Sequence, residues 1–270
     1  MKLDLVARGN PVMDILHTKD GQIMRSGGSA TTVALTVSKV GLKSGVIGRV
    51  GYDEYGKQLI NELKQAGVDT SRIRMEGATD INHIRVSHEN REFISNRLSY
   101  VPMDEADFDY IKKSRCFFGH LLVTDFSNIV KFCEKNNINV FTTFQRVGKD
   151  TPYSKESLNS PAIKIIFASE EEIEDWVTEI TDKLVVVTQS RKGCIIFCNA
   201  KPVYFSAYAV QPIDPTGAGD VFAGAFIFGY LKEWTIDKAA TFANKLAALS
   251  TTQYGARTFI SSFRGEINEI

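Results

Sequence analysis

The chain has 270 residues, 43% hydrophobic and 24% charged, enough to bury a full core as one large domain or one domain with a small appendage. Lysine plus arginine equals aspartate plus glutamate at 32 each, so there is no overall field to hold nucleic acid or an anionic membrane. Recognition is left to specific contacts with small molecules.

Met1 to Asn10 carries Lys2, Asp4 and Arg8, and neither a signal-length apolar run nor a membrane-spanning segment follows, so a cytoplasmic location is expected. Cys116, Cys133, Cys194 and Cys198 form no CxxC pair, which predicts reduced, mostly buried thiols. His17, His83, His88 and His120 are dispersed, with no clustered metal-ligand spacing.

In chain order, Leu3 to Ala7 reads as a first strand, Gly28 to Val40 as a helix, Ser44 to Gly48 as a strand and Glu54 to Ala66 as a helix. In that second helix Leu59, Leu63 and Ala66 share one face, Lys57, Asn61 and Lys64 point outward, and Gly67 stops it. Later strands are expected at Arg115 to Phe118, Val140 to Thr143, Lys164 to Ala168, Leu184 to Thr188 and Cys194 to Cys198. The apolar runs around Ile163 to Phe167 and Leu184 to Val187 suit central, mostly parallel strands covered on both faces. The alternation predicts an α/β fold, one sheet between two helical layers, in a single domain over residues 1–270. Leu16 to Arg25 and Thr79 to Arg97 break the rhythm and suit a small, partly exposed β element.

The most informative segment is Asp214-Pro215-Thr216-Gly217-Ala218-Gly219-Asp220, leading into an apolar helix from Ala218 to Tyr230. Gly217 and Gly219 let the backbone turn tightly and aim successive N–H groups at one point, and the helix N-terminus adds donors and positive potential. That combination attracts phosphate, and Asp220 beside it is placed to accept a proton from a substrate hydroxyl. Neither a GxxxxGK[ST] loop nor a GxGxxG after the first strand is present, and protein-kinase motifs are absent.

Two motifs, DPTGAGDVFAGAF and the upstream Gly27-Gly28-Ser29-Ala30-Thr31-Thr32-Val33-Ala34 with Gly48-Arg49-Val50-Gly51-Tyr52-Asp53-Glu54-Tyr55-Gly56, resemble the C- and N-terminal signatures of the PfkB carbohydrate kinases, the ribokinase-like family. The resemblance implies a ribokinase-like three-layer α/β/α fold whose segments near 16–25 and 79–97 form a β lid over the sugar, in some members a homodimer contact. It implies ATP-dependent phosphorylation of a hydroxyl of a sugar or sugar-like polyol with magnesium. Asp220 would be the base, and Gly217, Ala218 and Gly219 would hold the γ-phosphate.

By the same resemblance Asp14, which follows the first strand, would bind sugar hydroxyls, and Gly27 and Gly28 would let backbone approach the substrate. Ser29 and Thr32 stand where relatives commonly carry asparagine, and Thr32 takes a sugar-contacting position. Arg146 falls near a substrate-side arginine. Glu172 would organise magnesium through water, with Ser169 replacing an asparagine. Thr188, Ser190 and Gly193 resemble the nucleotide loop, Ser190 replacing a glycine, and Asn244 opens a helix and loop flanking the purine. Two alternatives stay open: a nucleoside kinase on the same fold, with Phe93, Tyr100 and Phe144 as conceivable linings for a base, and a non-catalytic sugar or nucleotide sensor.

Overall fold

The computed structural model describes residues 2–86, 91–96, 101–121, 125–144, 155–255 and 257–263. Its elements begin with β1 (Leu3–Arg8), β2 (Val12–Thr18), β3 (Gly21–Gly27), α1 (Ser29–Lys39), β4 (Ser44–Val50), α2 (Glu54–Gln65), β5 (Asp69–Met75), β6 (Ile81–Val86) and β7 (Arg91–Asn96). The middle follows with α3 (Glu105–Ile111), β8 (Ser114–His120), α4 (Phe126–Lys135), β9 (Asn139–Thr143), β10 (Ile163–Ser169), α5 (Asp175–Thr178), β11 (Leu184–Thr188), β12 (Gly193–Cys198) and β13 (Lys201–Ser206). Three helices complete the chain: α6 (Ala218–Leu231), α7 (Ile236–Ser250) and α8 (Thr258–Ser262). No helix among the described residues is long and apolar enough to cross a membrane.

Contacts group the chain into two units, Met1–Val6 with Pro102–Ala207 and Ala7–Val101 with Tyr208–Ile270. In the first, the strand order is β13-β12-β11-β10-β9-β8-β1. The pairs β8/β9, β9/β10 and β10/β11 are parallel, and β12 and β13 close the edge antiparallel. The buried residues Phe117, Phe141, Ile165, Ile166 and Val185 to Val187 explain why these strands read as unbroken apolar runs. Helices α3 and α4 cover β8 and β9.

In the second unit β4 pairs parallel with β5, and every residue of β4 is buried. Helix α1 packs on β4 and on α6, and α6 packs on α7. A Cβ on Gly224 of α6 would lie 2.7 Å from Thr36 of α1, so the missing side chain sets how closely the two helices approach. The unit also carries a separate sheet in the order β3-β2-β6-β7. Strands β2 and β3 form a hairpin, β2 and β6 run parallel, and β6 and β7 antiparallel. Both segments that break the sequence rhythm contribute to this sheet.

The fold is the mostly parallel α/β arrangement expected from the sequence, with several local differences. Asp14 follows the first strand as expected and lies inside β2, a strand that starts earlier than Leu16 because Val12 and Met13 also bury apolar side chains. Helix α7 begins at Ile236, eight residues before Asn244, where the Thr235 hydroxyl accepts the Lys238 N–H at 3.3 Å. Strand β13 has mostly exposed side chains and a proline, so its pairing with β12 leaves no periodic signal. Helix α3 starts on a reciprocal cap between Asp104 and Asp107, a less familiar variant of the serine–glutamate box.

Candidate active site

The expected substrate-side residues Asp14, Gly27, Gly28 and Thr32 lie in the second unit, with Asp220, around the N-termini of α1 and α6. Gly217 caps α6 at φ 73, a left-handed conformation that glycine adopts without strain, and this turns Ala218 and Gly219 into the first helical turn. Asp214 holds the preceding loop, its two carboxylate oxygens accepting the Thr216 N–H at 2.9 Å and the Gly255 N–H at 2.8 Å. A Cβ built on Gly219 meets nothing within 4 Å among the described residues, which leaves space beside the backbone just where the helix dipole is positive. The spacing fits a phosphate cradle.

Asp220 sits in that first turn, and the Ser29 hydroxyl donates to its Oδ1 at 2.5 Å. Ser29 opens α1, so one hydrogen bond joins the starts of two packed helices and orients the carboxylate. Just before it, Gly28 caps α1 at φ 104, and a Cβ there would lie 2.5 Å from the Asn10 carbonyl oxygen. A Cβ on Gly27 would stand 2.0 Å from an Asp14 carboxylate oxygen. The bare Gly27 therefore brings the backbone onto Asp14, which is 3% exposed and accepts the Asn82 Nδ2–H at 2.8 Å.

Two members of this constellation were not singled out from the sequence. Asn82 is polar at a buried strand position, a signal readable only once the register of β6 is known. Arg257, 1% exposed, donates from Nε to Thr32 Oγ1 at 3.2 Å and from Nη2 to the Gly27 carbonyl and Thr31 Oγ1. Burial lowers its pKa, while the negative charges of Glu62, Asp14 and Asp220 act in the opposite direction. Thr32 is thus fully buried under this guanidinium.

The N-terminal signature has a structural role of its own. Arg49 pairs with Asp80 at 2.6 Å and donates to the carbonyls of Glu76 and Ala78, while Asn10 bridges Asp80 and the Arg49 N–H. Asp53 caps α2 through the Gly56 N–H and accepts both the Thr79 hydroxyl and its N–H. Burial raises the Asp53 pKa, and these hydrogen bonds outweigh it, so the carboxyl titrates below its ordinary value. Together they fix the loop that leads into β6.

The expected nucleotide-side residues lie mostly in the first unit. Thr188 ends β11, and its hydroxyl donates to the Ala168 carbonyl at 3.3 Å. Ser190 has φ 51, a left-handed conformation that glycine adopts at less cost than serine. Gly193 has φ 106, and a Cβ there would lie 2.0 Å from the Phe205 carbonyl oxygen, so this glycine also serves the β12/β13 pairing. Glu172 accepts the Ser169 hydroxyl at 2.7 Å in a turn before α5. No cluster of three metal-ligating side chains occurs among the described residues. A lone carboxylate of this kind suits magnesium held through water and phosphate oxygens better than an all-protein cage. Asn244 is buried within α7 of the second unit. Arg146 and Tyr100 lie outside the described residues, whereas Phe144 is a buried core residue and Phe93 an exposed one.

Known proteins share this fold. An uncharacterized sugar kinase from Pyrococcus horikoshii, solved in complex with ATP, is 27% identical and superposes over 93% of each chain with a TM-score of 0.76. A protein of Arabidopsis thaliana named probable fructokinase-5 is 29% identical over 89% of this chain and 86% of its own. The adenosine kinase of Sinorhizobium meliloti shares the fold at a TM-score of 0.83, with 21% identity over 97% of this chain and 98% of that one. The model of the pfkB family carbohydrate kinases matches residues 3–262. With its two signatures meeting at Ser29 and Asp220, the chain belongs to the pfkB family of carbohydrate kinases, phosphotransferases that act on hydroxyl groups.

Proposed function

We propose that the chain transfers the γ-phosphoryl group of ATP to a hydroxyl of a small sugar or sugar-like polyol, with Asp220 as the base. The observation that carries it is the Asp220 carboxylate, oriented by Ser29 at 2.5 Å, in the first turn of a helix whose Gly219 leaves room for phosphate. The acceptor O–H would lose its proton to Asp220 as its oxygen bonds to phosphorus, and the bond from the γ-phosphorus to the bridging oxygen would break to release ADP. The N–H groups of Gly217 and Gly219 would stabilise the transferring group, joined by that of Ala218 only if it leaves the Pro215 carbonyl to which it donates at 3.2 Å, and Asp14 would hold other hydroxyls of the acceptor.

Thr188, Ser190, Gly193 and Asn244 would bind the nucleotide, and Glu172, braced by Ser169, would hold magnesium through water. Magnesium, when bound, supplies charge neutralisation between the phosphates. ATP as donor is supported by the nucleotide in the Pyrococcus horikoshii sugar kinase complex. Consumption of ATP fits a cytoplasmic enzyme.

The test is magnesium-dependent ADP formation across aldoses, ketoses, keto-deoxy acids, inositols and nucleosides, with Asp220→Asn alongside. One acceptor should stand out, and Asp220→Asn should lower its turnover about 10²- to 10⁴-fold while nucleotide still binds and the fold is kept. Near wild-type turnover in Asp220→Asn would remove Asp220 from the chemistry.

A further inference from the structure

In β6 the buried positions are Asn82, Ile84 and Val86, so a polar residue heads an otherwise apolar stripe. Across the neighbouring parallel strand, Asp14 pairs in register with Asn82 and Leu16 with Ile84. In-register partners project from the same face of a sheet, which places the carboxylate and the amide side by side, next to the apolar cluster of Leu16, Ile84 and Val86 packed by Ile23 and Tyr254.

A carboxylate only accepts hydrogen bonds, so the amide nitrogen of Asn82 must face Asp14, as the 2.8 Å contact shows. The amide oxygen then points elsewhere. That Oδ1 is buried in a residue only 7% exposed and has no hydrogen-bond partner among the described residues. A buried oxygen left without a donor costs about 1–3 kcal/mol, a cost that a donor from outside the chain, such as a ligand hydroxyl, removes. Here the incomplete group adjoins the carboxylate that packs against the bare backbone of Gly27.

We propose that Asn82 is a specificity-determining contact to the phosphoryl acceptor, its Oδ1 accepting the hydroxyl next to one held by Asp14. The acceptor is then a vicinal diol and not an isolated alcohol. Asp14 has up to about four lone-pair positions and can take a hydroxyl while keeping the Asn82 amide, and the planar amide presents one further acceptor at a fixed spacing. A hydroxyl removed from the ligand leaves Oδ1 unsatisfied in the complex, and sites built to bond a hydroxyl discriminate strongly against analogues that lack it. The assignment rests on the phosphotransferase reading only for the word acceptor; the diol clamp can be tested by binding alone.

The experiment is calorimetric titration of the full chain, wild type, Asn82→Leu and Asn82→Asp, with D-ribose, D-fructose, D-gluconate, myo-inositol and adenosine. Each ligand is run beside forms lacking a single hydroxyl, and ATP binding and melting temperature serve as folding controls. For the ligand that binds, removing one hydroxyl should weaken wild-type binding by about 10-fold or more. Asn82→Leu should bind the parent about 10- to 100-fold more weakly and no longer distinguish it from that deoxy form. Asn82→Asp keeps the shape but sets a second carboxylate beside Asp14; its binding should be weak at pH 7.5 and recover as pH falls toward 5. Discrimination retained in Asn82→Leu, unchanged affinity in both variants, or no wild-type binding across the panel overturns the clamp. Asn82-dependent polyol binding with no ADP formation would leave the clamp standing and sink the phosphotransferase reading.

Discussion

Alanine at Gly27 and alanine at Gly219 are the same chemical change in opposite surroundings. At Gly27 the new Cβ would lie 2.0, 2.5 and 2.8 Å from the three carboxyl atoms of Asp14. Moving the nearest oxygen from 2.0 Å to an ordinary contact of 3.4 Å requires a shift of about 1.4 Å. That shift breaks the 2.8 Å bond from Asn82. Overpacking of this sort costs about 1–3 kcal/mol, which in a chain of this size lowers the melting temperature by roughly 2–10 °C. A misplacement of about 1 Å at a substrate-holding group costs on the order of 10²-fold in kcat/KM. At Gly219 the Cβ meets no tertiary neighbour within 4 Å among the described residues, so the fold should be unaffected or slightly more stable, by up to about 1 kcal/mol, because alanine favours a helix. The methyl group would instead stand where phosphate must approach, and turnover should fall. Calorimetric melting, the KM for the acceptor and the KM for ATP separate the two: Gly27→Ala should raise the acceptor KM and lower the melting temperature, while Gly219→Ala should lower kcat at unchanged melting temperature. An unchanged acceptor KM in Gly27→Ala, or unfolding of Gly219→Ala, would refute the reasoning.

Other expectations follow from the same geometry. Asp53→Ala removes the α2 cap and both Thr79 contacts and should cost about 1–2 kcal/mol at neutral pH. Because the folded carboxyl titrates below its unfolded value near 3.8, that stability is fully present above this pH and is lost as pH falls through the lowered folded pKa. Denaturation at pH 7 and below pH 3 should therefore show the gap between wild type and Asp53→Ala shrinking in acid. Burial pushes the Cys116 and Cys133 thiols up to about 12, so alkylation of the native protein at pH 8 should label Cys198, which is partly exposed, and spare both. Mass mapping of the labelled peptides checks this. Ser190→Gly should relieve the φ 51 conformation and raise the melting temperature by a few °C, about 1 kcal/mol, without slowing turnover.

The class of fold was legible in the sequence, and so was the turn on which the proposed chemistry rests. Apolar runs such as Ile163 to Phe167 are local consequences of burial on both faces, and the GAGD turn is built from the backbone of consecutive residues, so neither needs distant information. The limits of β2 and β13 and the start of α7 were less legible, because a short strand or an exposed edge is decided by its pairing partner. Only the tertiary structure decided what acts on Asp14 and Asp220. Ser29 reaches Asp220 across 191 positions, Asn82 reaches Asp14 across 68, and Arg257 reaches Gly27 across 230. A polar residue carries no mark of the partner it will meet. That partner is fixed by strand register and helix packing, which bring the groups within hydrogen-bond range only after the chain has folded.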